Sequence, residues 1–174
     1  MNKSTKNMVL TAICIALGVV LPIAFHSVPN AGSIFLPMHI PVLLCGLICG
    51  FPYGLCCGIL APLLSSLLTG MPPVAYLPSM LCELAVYGLV SALLMRCVHI
   101  KNGYAKIYTA LMGAMLAGRL TYGVLNALIF RAGSYSFQLW TAAAFVTALP
   151  GVIIQIVLIP VIVIALQKAK LLEA

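Results

Sequence analysis

The chain has 174 residues, of which 64% are hydrophobic and only 6% charged, with a formal net charge of +7. Soluble domains average roughly 45–50% apolar and about 25% charged residues, so no water-soluble core absorbs this excess and the chain reads as a single-domain integral membrane protein. Its basic residues do not cluster with polar or aromatic surface residues, which argues against a nucleic-acid partner. In a membrane protein such charge reports topology instead.

Lys3 and Lys6 precede an apolar run, as in a secretory signal. The apolar segments that follow, and the lack of a convincing small-residue cleavage site, favour a retained first helix over 8–25. Ala12 and Ala16 lie one turn apart on it. Small residues at that spacing let another helix approach closely, or serve ordinary internal packing. Pro29-Asn30-Ala31-Gly32-Ser33 marks a first loop over 26–36. A second helix over 38–49 is short for a span, so it is tilted or starts below the interface. Phe51-Pro52-Tyr53-Gly54 breaks the chain, and a third helix follows over 53–68, with Pro62 expected to kink it. Gly46, Gly50, Gly54 and Gly58 straddle this break and read as small residues on both sides of a close helix crossing. No Lys, Arg, Asp or Glu occurs in 37–73, which therefore reads as a tightly packed hairpin in lipid. A proline-rich loop over 70–78 leads to helices over 78–97, 107–130 and 140–166, the last containing Pro150 and Pro160. The fold expected is an all-α membrane protein of six transmembrane helices.

Six spans put both termini on one side together with the second and fourth loops. That side holds Lys3, Lys6, Arg96, Lys101, Lys106, Lys168 and Lys170, and the other holds only Arg131. Basic residues are retained on the cytoplasmic side, so the termini are cytoplasmic and the first, third and fifth loops face outward. Tyr135 and Trp140 then fit an outer aromatic belt. The seven cysteines form no Cys-x-x-Cys pair and lie almost entirely within apolar runs, where cysteine acts as a small hydrophobe.

Two ionisable residues fall inside spans, and such residues are functional candidates by default. Glu83 lies in the fourth helix and Arg119 in the fifth, so they pair with each other or through a ligand. At 100° per residue Arg119, Tyr122 and Asn126 share one face. Tyr87 is one turn from Glu83, and Thr147 and Gln155 add polar groups on the sixth helix. A salt bridge that merely locks two helices does not require so many hydrogen-bonding side chains, whereas a polar ligand in an apolar cavity does. The cavity is expected in the outer half of helices four to six, with His39 and Tyr76 contributed by its rim. Arginine suits a carboxylate through its bidentate fork. His39 reads as a ligand-facing hydrogen bonder or as a helix-start residue. A metal role is not favoured, although Met38-His39-Ile40-Pro41 superficially resembles the start of nickel and cobalt uptake components. Those proteins also use a free amino terminus, and here the tetrapeptide is internal. There is no His-Glu-x-x-His, Gly-x-Ser-x-Gly or P-loop pattern and no aspartate. No catalytic site, metal or cofactor is expected, and any ATP dependence must come from a partner.

Six short spans, cytoplasmic termini, Ala-x-x-x-Ala in the first helix and Gly-x-x-x-Gly at the second turn together resemble the substrate-binding S component of energy-coupling factor (ECF) vitamin transporters. The stretch that carries most of the likeness runs from Ile40-Pro41-Val42-Leu43-Leu44-Cys45-Gly46 through Gly50-Phe51-Pro52-Tyr53-Gly54 to Pro62-Leu63-Leu64-Ser65-Ser66-Leu67. The resemblance implies a prokaryotic plasma-membrane subunit that binds a vitamin or precursor from outside. It implies partnership with a transmembrane coupling protein and two ABC-type ATPases that use the ATP. It also implies that Ala12 and Ala16 face the coupling protein, and that the protomer topples to release its ligand inside. The substrate expected is a carboxylate-bearing vitamin such as pantothenate, with a neutral ring compound if Arg119 and Glu83 pair only with each other. Two rival readings are a stand-alone proton-coupled carrier using Glu83, and a membrane enzyme or redox protein using the cysteines.

Overall fold

The computed structural model describes residues 2–25, 30–133 and 135–169. Lys170, and the parts of the first and fifth loops at 26–29 and 134, lie outside these residues. All regular structure among the described residues is helical. In chain order the elements are α1 (Lys3–Ala24), α2 (Ala31–Phe35), α3 (His39–Cys49), α4 (Tyr53–Thr69), α5 (Leu77–Cys97), α6 (Gly103–Leu125), α7 (Phe137–Thr141) and α8 (Leu149–Lys168). Helix α6 ends in a π-helical turn, Asn126–Phe130, and α7 continues as a π-helical segment, Ala142–Thr147.

Five helical stretches are long and apolar enough to cross a bilayer: Lys3–Ala24, Ala31–Cys49, Leu77–Cys97, Gly103–Phe130 and Leu149–Lys168. Helix α4, with 17 residues, is at the short end of the spanning range of about 17–25.

Helix α3 explains the arrangement. It is apolar on every face, and such a helix belongs in an interior. Val42, Leu43 and Cys45 are wholly buried, and α3 packs against α1, α4, α5, α6 and α8. Lipid tails are as apolar as leucine, so close backbone packing and hydrogen bonds must hold the bundle together. The α4–α5 crossing does this through Gly54 and Gly88, where a Cβ on Gly54 would stand 2.5 Å from the Gly88 carbonyl oxygen. Gly46 and Gly58 meet α5 at Ser91 and Leu84 in the same way. The glycine series thus serves a close crossing, with α5 as the partner. Gly50 instead takes a positive φ of 74° and turns the chain.

Helix α1 is peripheral and buries only the stripe Thr11, Cys14 and Gly18. The Cys45 thiol donates to the Thr11 hydroxyl (3.5 Å), Thr11 donates to the Asn7 carbonyl (2.7 Å), and the Asn7 amide donates to the Cys49 carbonyl (3.3 Å). Ala12 and Ala16 are exposed on the opposite side and take no part in this packing. Cys14, Cys45, Cys49 and Cys57 are free thiols buried in the core.

The charges sort by end. Ser4 reaches the Tyr53 hydroxyl at 3.2 Å, so the N-terminus and the Gly50 turn share one end. Lys101 and Lys168 line one groove between the α5–α6 turn and the C-terminal end of α8. Arg131 lies at the other end, 4.8 Å from the ring centre of Tyr76. The end that holds Lys101 and Lys168 is the one the rule for basic residues assigns to the cytoplasm.

Four elements differ from the sequence expectation. The first loop contains α2, capped by Leu36 in the left-handed region (φ 51°) and seated on α8, where a Cβ on Gly151 would stand 2.7 Å from the Ile34 carbonyl oxygen. The last span, expected as one helix over 140–166, starts at Phe137 and breaks at Ala148. Pro150 in the first turn of α8 lacks the N–H that would continue the ladder from the preceding segment. Helices α1 and α6 begin at Lys3 and Gly103, several residues before the expected 8 and 107, with Asn102 accepting the Tyr104 N–H at 3.0 Å to cap α6.

Candidate functional site

At the end away from the termini the helices enclose a cavity of about 580 Å³, within the range of small-molecule sites. One rim is the α4–α5 loop. Gly70 ends α4 with φ 71°, Ser66 donates to the Pro72 carbonyl at 2.9 Å, and the Met71 N–H donates to the Thr69 hydroxyl at 3.2 Å. These bonds fix Met71, Pro72 and Pro73 above the site. The opposite rim is Asn30–Ser33 with Phe25, the residue that caps α1. Ala143 and Ala144 close the side facing α7.

The wall between the rims is polar. His39 begins α3, where its N–H donates to the Leu36 carbonyl at 3.0 Å. Glu83 lies on α5 and Arg119 on α6, both facing the cavity with His39, Tyr76 and Tyr122. One Glu83 oxygen, Oε1, lies 3.2 Å from Arg119 Nη1 and 3.7 Å from His39 Nε2. The carboxylate is thus shared by two groups. The Arg119 contact is an ion pair rather than an aligned hydrogen bond, since Oε1 accepts no hydrogen bond among the described residues, and the His39 contact is one only when the imidazole is protonated. Arg119 Nε and Nη2, and both ring nitrogens of His39, are buried and likewise make none. Leaving a buried donor unsatisfied costs about 1–3 kcal/mol, so donors in such a place favour an acceptor. Nε and Nη2 form the side edge of the guanidinium, the edge that grips a carboxylate with two parallel hydrogen bonds.

The remaining expected residues sit elsewhere. Tyr87 is wholly buried beneath the cavity, with its ring 5.2 Å from that of His39 in an edge-on contact. Gly118, beside Arg119, leaves the space that the Tyr87 ring fills. Asn126 shares no cavity wall with Arg119 and Tyr122. Its amide turns back along α6 and donates to the Tyr122 carbonyl at 2.8 Å. Gln155 is wholly buried in α8 with neither amide atom hydrogen-bonded among the described residues, and it does not line the cavity. Thr147 is exposed. Trp140, expected in an outer belt, turns its indole onto α6 and donates to the Arg119 carbonyl at 3.1 Å.

Several lining residues carried little or no sequence signal. Met80 stands three residues before Glu83, so helical phase alone would place it on the same face. Ala143 and Ala144 are distinguished only by being small.

A family model described as ECF transporter, substrate-specific component, matches residues 6–163. The chain belongs to that family. It is an ECF S component, a multi-pass membrane subunit of a transporter that itself catalyses no reaction and belongs to a family normally without a cofactor. S components associate with a transmembrane coupling protein and ATPases. Neither the curated proteins nor the solved structures contain a match to this chain.

Proposed function

We propose that this S component captures a small carboxylate-bearing vitamin or vitamin precursor, with pantothenate as the best fit, from outside the cell. The observation that carries the reading is Arg119, which lines the cavity and whose side edge has two buried donors with no hydrogen-bond partner among the described residues. The substrate carboxylate takes that edge. Its hydroxyl and amide groups meet Glu83, His39, Tyr122 and Tyr76, while Tyr87 backs His39. Asn126 and Gln155 act behind the wall: Asn126 holds the turn that carries Tyr122, and Gln155 is a buried polar group of α8. The exposed Ala12 and Ala16 admit the coupling protein against α1, and two ABC-type ATPases drive toppling and release on the cytoplasmic side.

Titration calorimetry of the purified protein without ATP tests the substrate class. Pantothenate should bind, and its alcohol analogue pantothenol, which lacks only the carboxylate, should bind roughly 10-fold or more weakly, as loss of a charge-assisted hydrogen bond implies. Equal affinity for both compounds would mean that Arg119 serves Glu83 alone and that the ligand is neutral.

A further inference from the structure

Trp140 is the chain's one tryptophan, and it stands outside the cavity while touching the backbone of the residue that anchors it. Its Nε1–H donates to the Arg119 carbonyl across 21 residues of sequence, at 3.1 Å. The contact needs Gly123, one turn after Arg119, because a Cβ there would stand 2.5 Å from the indole nitrogen. The ring is itself held, with Phe137 and Phe145 each centred 5.5 Å away, Phe145 edge-on. The turn that follows carries Ala143 and Ala144 into the cavity wall. On the other side of Arg119, Gly118 admits the Tyr87 ring. The Arg119 backbone is thus clasped between a ring from α5 and a ring from α7, each seated on a glycine of α6.

We propose that Trp140 is a positioning residue for substrate recognition, setting the guanidinium of Arg119 by hydrogen-bonding its carbonyl and fixing the α7 wall to the same turn. The proposal rests on the reading of Arg119 as the carboxylate anchor. Nη1 lies 3.2 Å from Glu83, so a small rotation of this turn changes both how tightly Glu83 holds the guanidinium and where its free edge points. Displacements of about 1 Å are enough to cost large factors in a positioned site.

Two variants test this. Trp140→Phe keeps an aromatic ring and removes the N–H. Incorporation of β-(3-benzothienyl)alanine at position 140 keeps the shape of the indole and removes only the donor, so it guards against a folding defect. The first readout needs no substrate: the rate at which phenylglyoxal modifies Arg119 in the ligand-free protein, followed by mass spectrometry with Arg96 and Arg131 as internal references. Both variants should accelerate Arg119 modification by roughly three- to tenfold, the worth of one net hydrogen bond, and leave the references unchanged. The second readout is affinity for pantothenate and pantothenol, where only the first should fall, by a similar factor. An unchanged Arg119 rate, equal acceleration of all three arginines, or unchanged pantothenate affinity despite faster modification would overturn the proposal. If the unsubstituted protein binds no pantothenate, the substrate reading fails, and the modification rates still decide whether Trp140 sets Arg119.

Discussion

Replacing Arg119 by glutamine removes the carboxylate fork and leaves the Glu83 carboxylate buried beside His39 and Tyr87 with no arginine to balance it. The consequences for binding and for folding separate when Glu83→Gln and the double variant are measured alongside it. Charge-assisted hydrogen bonds contribute about 1.5–3 kcal/mol each, and about 1.36 kcal/mol is a factor of ten. Losing the fork, two such bonds, should therefore weaken pantothenate binding by about 150-fold or more. Stability follows a different pattern, since Glu83 and Arg119 are both nearly inaccessible, with side chains 3% and 11% exposed. Removing one member of such a pair costs about 3–5 kcal/mol because the other is left uncompensated. Glu83→Gln and Arg119→Gln should each lower the melting temperature in detergent, and the double variant should recover most of the loss. Binding should not recover with it. Arg119→Gln and the double variant should both bind poorly, while Glu83→Gln, which frees Nη1, should hold or gain carboxylate affinity. Calorimetry and thermal melting on the four proteins decide the matter. If the double variant regains binding along with stability, the pair is a helix lock and the account of Arg119 is refuted.

Three further outcomes follow from the geometry. Gly88→Ala should destabilise the protein by about 1–3 kcal/mol, the cost of overpacking, because its Cβ has only the Gly54 backbone to displace; an unchanged melting temperature would contradict the close crossing. Tyr76→Ala removes the ring beneath Arg131 and should speed pantothenate release about two- to fivefold, matching a cation–π contact of about 0.5–1 kcal/mol. Stopped-flow fluorescence of Trp140 reads this directly, and an unchanged release rate would mean that Tyr76 does not retain the ligand. Ala12→Trp and Ala16→Trp should leave pantothenate affinity within about twofold, as exposed substitutions usually do, yet abolish ATP-driven uptake in liposomes containing the coupling protein and ATPases. Loss of affinity would place these alanines in the fold instead.

Much of this molecule was legible in its sequence because the controlling physics is local or is set by the bilayer. An uncharged, glycine-laced stretch of that length becomes the α3–α4 hairpin, and the asymmetry of Lys and Arg orients it. The two ionisable residues inside spans had to find each other or a ligand, and they stand 3.2 Å apart. What escaped depended on contacts between distant segments. Helix α2 hides in a stretch whose Gly32 and Ser33 read as a turn, and it is held by a seat on Gly151 that only the tertiary structure provides. Asn126 was placed by helical phase, which does not reveal that its amide folds back onto the Tyr122 carbonyl and leaves the cavity wall. A tryptophan near a span end reads as a belt residue, and nothing local to Trp140 reveals that Gly123 leaves it room against Arg119.

The most direct test of the central claim is the identity of the small molecule that copurifies with the protein in mild detergent, determined by mass spectrometry after denaturation. A monocarboxylate of vitamin or vitamin-precursor size should be recovered from the unsubstituted protein and lost from Arg119→Gln. A neutral or cationic compound, retained equally by Arg119→Gln, would contradict the claim.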